Sequence, residues 1–139
     1  MRGALILLLF KMNVKGKQSS SRIRSFANAF HGLIIVFRSH ANFRIQLGIA
    51  FIAIILSIWL AISRTEWGII ILLIGLVLSL ETINTSIEIL CDKVDSNYSE
   101  SIKKVKDIAA ASVLISAVAA AIIACIIFIP KIFLLLNFA

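Results

Sequence analysis

Three long apolar runs, each bounded by charge, leave this chain few folds to choose from. Residues 45–62 form a run long enough to cross a hydrocarbon core of about 30 Å as a single helix. A second run begins at Trp67 and carries no charge as far as Leu80; it spans only if it continues through ETINTSIEIL to about residue 90. A third fills 108–129 and ends at Pro130, where a helix loses a backbone donor. A soluble core has no use for such runs. The 139 residues are 60% hydrophobic and only 15% charged, where soluble domains run near about a quarter charged. In lipid every backbone polar group must be satisfied within its own segment, so the expected class is an all-α membrane protein.

The flanks complete the outline. MRGALILLLF opens like a secretory leader, but KMNVKGKQSSS follows it without a small-x-small cleavage site. Residues 1–20 are therefore read as a flexible tail. From 21 to 38, Ile23, Phe26, Ala27, Phe30, Leu33, Ile34 and Phe37 recur at steps of three and four, while Arg22, Arg24, Asn28, His31 and Arg38 fill much of the remainder. This is a basic amphipathic helix suited to the membrane interface. SRTE reads as a tight exit loop after the first span, with Trp67 as an interfacial anchor. AAASVLISAVAAA gives the third span small residues that let helices approach closely. One membrane domain over 21–130 results, with 131–139 as a tail returning to the interface.

Charge orients the bundle. Lys11, Lys15, Lys17, Arg22, Arg24, Arg38 and Arg44 precede the first span, and Lys93, Lys103, Lys104 and Lys106 lie between the second and third. The opposite side holds only Arg64 and Lys131, so the positive-inside rule puts the N-terminus and the second loop in the cytoplasm. The net charge of +7 is read as topology signalling, or as contact with lipid headgroups and phosphates, with no nucleic-acid partner expected. Of the seven acids, Glu81, Glu88, Asp92, Asp95, Glu100 and Asp107 share one stretch, and Glu66 stands apart. Cys91 and Cys125 have no ligand or redox spacing and are read as structural.

Glu81, Asn84 and Glu88 stand at i, i+3 and i+7, on one face of the second span's last turns. Carboxylates at a membrane boundary mark function more often than fold. Two of them about two turns apart suit a divalent cation, or a base beside one. Lys104, Lys106 and Asp107 open the third span on the same side. Acid, magnesium and lysine together make the parts of phosphoryl transfer, although no GxxxxGK[ST] loop or protein-kinase signature is present.

ETINTSIEILCDKV followed by KKVKDIAAASVL closely resembles the prokaryotic diacylglycerol kinase and undecaprenol kinase family, and SFANAFHGL and ANFRIQ resemble their counterparts there. The resemblance covers roughly 21–129. It implies ATP- and magnesium-dependent phosphorylation of a membrane lipid alcohol in the cell membrane by a homotrimer whose neighbouring chains share each active site. Carried over, Glu81 is the general base, Asn84 orients the site, and Glu88 holds magnesium on the ATP phosphates. Lys106 falls on phosphate and Asp107 on ribose, with Tyr98 near the nucleotide; Phe43 and Arg44 line the lipid site beside Glu81. Undecaprenol is favoured over diacylglycerol because ANFRIQ is closer to that branch.

Two positions depart from the family pattern. His40 stands where many members carry a glutamate that joins in holding metal, and it offers nitrogen to an ion that prefers oxygen. Ser99 replaces a histidine common near the nucleotide. Two other functions are weighed: a small oligomeric transporter or channel using Glu81 and Glu88 as ion sites, and a non-enzymatic scaffold. A transporter wants its ionisable groups near the midplane, and a scaffold tolerates Glu81→Gln.

Overall fold

The structure, a computed structural model, describes residues 22–94 and 99–137. The tail expected over 1–20 and the nucleotide candidate Tyr98 lie outside the described residues. The chain divides into two compact units that meet in sequence between Arg38 and Ser39. Helix α1 runs over 22–39, and its residues 22–38 are the described part of the first unit. Its Ile23, Phe26 and Phe30 are exposed.

The second unit holds α2 (Ala41–Trp59), α3 (Arg64–Val94) and α4 (Glu100–Asn137). All three are long and apolar enough to cross a membrane. This matches the expected all-α membrane class, and α3 packs most extensively along α4. Three of the differences between these boundaries and the sequence reading shape the bundle.

First, α2 starts at Ala41 rather than 45, which brings Phe43, Arg44 and Gln46 into its opening turns. It ends in a Schellman turn: Ile62 N–H donates to Ser57 O at 3.3 Å and Ala61 N–H to Ile58 O at 3.1 Å. Ala61 takes the left-handed position of that turn, with φ 46°, where glycine is usual. Second, SRTE is not a loop but the start of α3. Ser63 N–H donates to Glu66 Oε2 at 2.6 Å and Glu66 N–H to Ser63 Oγ at 3.3 Å, the reciprocal pair of a capping box.

Third, α4 does not stop at Pro130 but continues to Asn137, so residues 131–137 are helix rather than a separate tail. Membrane helices tolerate an internal proline when neighbouring groups compensate the freed carbonyl. Here the turn beyond it is anchored twice. Lys131 Nζ lies 3.1 Å from Glu66 Oε2, and Ile132 packs on a cluster of Leu60, Ile62, Ile70, Ile127 and Phe128. This cluster and the capping box fasten the end of the bundle that carries the α2–α3 turn.

Candidate active site

The buried stripe of α3 changes character along its length. It is apolar at Ile70 and then turns polar at Glu81, Asn84 and Thr85 before closing on Cys91. Glu81 is 3% exposed, Asn84 5% and Thr85 1%. The i, i+3, i+7 face predicted from sequence thus points into the bundle rather than to solvent. Burying a carboxylate is costly unless a partner meets it. The partner is Gln46 of α2, whose Nε2 donates to Glu81 Oε2 at 2.9 Å. Sequence reasoning missed Gln46, although it ends the ANFRIQ segment; no periodicity marks a contact made across 35 positions.

One turn on, Asn84 Nδ2 donates to Glu88 Oε1 at 2.8 Å. The other oxygen, Oε2, faces His40 Nδ1 at 3.7 Å, too far for a hydrogen bond. Both side chains are partly exposed. His40 itself is extended (φ −118°, ψ 116°) and precedes α2 without capping it. The departure flagged from sequence therefore faces the predicted metal carboxylate. Among the described residues, no group of three or more His, Cys, Asp or Glu side chains converges as a metal site.

On the facing helix, Lys106 is paired with Asp92 of α3. Glu88 is near enough to act on the same ammonium electrostatically. Asp92 is a second residue the sequence reading did not assign. Asp107 is exposed in the opening turns of α4, and Lys104 pairs with Glu100 at 2.9 Å on the same outer surface. Phe43 is buried at the start of α2 and Arg44 beside it is exposed. Asn84, Glu88 and His40 thus form one set of neighbours and Glu81 pairs separately with Gln46, while Lys106 is held by Asp92.

The polar atoms left over are informative. Ser57, Thr82, Ser86, Ser112 and Ser116 each donate their hydroxyl to a carbonyl of their own helix, the usual way to hide an –OH in a span. Among the described residues, Gln46 Oε1, Asn84 Oδ1 and Thr85 Oγ1 are buried without a partner, on the helices that carry Glu81 and its contact. Such atoms call for water or a ligand.

Comparison with known proteins identifies the class. Residues 27–128 match the family model described as prokaryotic diacylglycerol kinase. The chain belongs to that family, and it is a membrane lipid kinase with a nucleotide co-substrate. Among curated relatives, the undecaprenol kinase of Bacillus subtilis (strain 168) is 37% identical over 108 residues, covering 78% of this chain and 88% of the relative. The diacylglycerol kinase of Escherichia coli (strain K12) is 31% identical over 105 residues, covering 75% and 85%. Membership of this family sets aside the transporter and scaffold readings.

Proposed function

We propose that this chain transfers the terminal phosphoryl group of ATP to the hydroxyl of undecaprenol, with diacylglycerol the second choice, at the cytoplasmic side of the cell membrane. The observation that carries the reading is the buried Glu81 carboxylate, fixed through one oxygen by Gln46 and lying one turn from the Asn84–Glu88 pair. With Oε2 occupied, Oε1 is the oxygen that takes the proton from the lipid hydroxyl. The hydroxyl oxygen then forms its bond to phosphorus as the bond to the ADP oxygen breaks. Asn84 holds Glu88 in place from the side.

Magnesium takes oxygen ligands and is often held by one or two carboxylates plus substrate phosphates. Glu88, partly exposed and anchored through Oε1, suits that role; the His40 nitrogen does not. Bound magnesium would neutralise charge on the phosphates. Lys106 turns from Asp92 to phosphate when the nucleotide arrives, and Asp107 and Tyr98 meet the nucleoside. Phe43 and Arg44 flank the lipid headgroup. The cytoplasmic placement follows from the Lys/Arg bias, and the homotrimer with shared sites from the family resemblance.

The test is transfer from labelled ATP to undecaprenol and to diacylglycerol in parallel, with Glu81→Gln as control. Transfer to undecaprenol that is lost in the variant is the expected result. A folded protein that labels neither lipid, or a fully active variant, would sink the proposal. Adding His40→Glu sharpens the metal assignment: this variant is expected to saturate at lower magnesium than the parent.

A further inference from the structure

Glu88 has an uneven companion. The extended residue before α2, His40, gives no side-chain hydrogen bond to the helix it precedes. Its ring turns instead to α3, where Nδ1 lies 3.7 Å from Glu88 Oε2. The carboxylate is oriented from its other side, because the buried Asn84 donates through Nδ2 to Oε1 at 2.8 Å. Both His40 and Glu88 stay partly open, at 24% and 33% exposed, which leaves room for ligands from outside the chain. Lys106, the ammonium that feels Glu88 from α4, is paired with Asp92. The gap itself is informative. A separation of 3.7 Å is too long for a hydrogen bond but close to what a shared ion requires. Two donors each about 2.1 Å from one ion stand about 3.0–3.4 Å apart, between a right angle and a tetrahedral one.

We propose that His40 sets the ion selectivity of this site: with Glu88 it forms a nitrogen–oxygen clamp that favours an octahedral transition-metal dication of the manganese type over magnesium. The inference rests on the kinase reading above and revises only the identity of the ion. Magnesium gains little from an imidazole and dehydrates reluctantly, whereas first-row transition ions accept nitrogen and oxygen donors together. Zinc is the poorer fit, since its sites take three or four protein ligands around a tetrahedron. Among the described residues no third His, Cys, Asp or Glu joins this pair. The remaining positions of an octahedron therefore fall to water and to nucleotide phosphate oxygens. The competing reading is a plain ion pair between imidazolium and carboxylate, which needs no metal.

The experiment uses full-length protein in lipid nanodiscs, with its histidines labelled by a heavy nitrogen isotope, and loaded with Mn2+ and a non-hydrolysable ATP analogue. Pulsed EPR reads which nuclei couple to the manganese. The parent is expected to show a coupling to labelled nitrogen that His40→Glu abolishes and His31→Gln leaves in place. His40→Gln is expected to lose it as well, so a poorly folded His40→Glu leaves the test intact. Displacement of Mn2+ by Mg2+, followed in the same samples, is expected to show the preference for manganese falling by about tenfold in His40→Glu. Manganese bound without histidine coupling in the parent, no manganese bound, or an unchanged preference in folded His40→Glu overturns the inference and leaves His40 an ion-pair partner of Glu88. Parent protein that transfers phosphate to neither undecaprenol nor diacylglycerol with either ion overturns the kinase reading instead, and the nitrogen coupling still decides the clamp.

Discussion

The two ends of the bundle are built on opposite terms. At the α2–α3 turn, Glu66 answers both Ser63 and Lys131, Ala61 closes a Schellman turn, and five apolar side chains pack together. At the other end a carboxylate, an amide and a hydroxyl are buried on one stripe, and three polar atoms there have no partner. A fold selected for stability alone would reverse those choices, because unsatisfied polar groups in a membrane cost more than apolar ones. The turn end holds the helices, and the polar end uses the rigidity that results.

That contrast breaks if a substitution at one end behaves like one at the other. A large effect is expected at Glu88→Gln, a fall in turnover of about 10²-fold with unfolding in SDS little changed, measured on one preparation. Phe128→Ala should do the reverse, costing about 1–2 kcal/mol of unfolding free energy in SDS titration while leaving KM values alone. That is less than a soluble core would lose, since the alternative to packing is lipid rather than water. Glu66→Ala removes the capping box and a partly exposed ion pair, and is expected to cost less than Phe128→Ala on the same titration. The smallest change is a gain: Ala61→Gly relieves the left-handed backbone and is expected to stabilise by about 0.5–1 kcal/mol.

Much of this architecture could be read before any coordinates. The three spans follow from run length, and Glu81, Asn84 and Glu88 share a face because helical periodicity puts them there. What escaped were contacts between distant segments. Gln46 looks like an ordinary polar residue in an apolar run until α3 brings Glu81 to it. Asp92 and Lys106 pair across the second loop, which local spacing cannot announce. The capping box was legible, since Ser-x-x-Glu precedes an apolar run, but a loop was expected between spans and the signal went unused. Pro130 misled for a physical reason: its helix-breaking force is outweighed by Lys131 and Ile132 binding the turn that follows.

The most direct test of the division of labour is Asn84→Leu, which replaces a buried, half-satisfied amide with an apolar side chain of similar size. Phosphoryl transfer from ATP to undecaprenol and resistance to SDS unfolding would be measured on the same sample. The account predicts transfer reduced by about 10²-fold and a protein at least as stable as the parent. A variant that loses stability in proportion to its activity, or keeps its activity intact, would show that Asn84 belongs to the scaffold and contradict it.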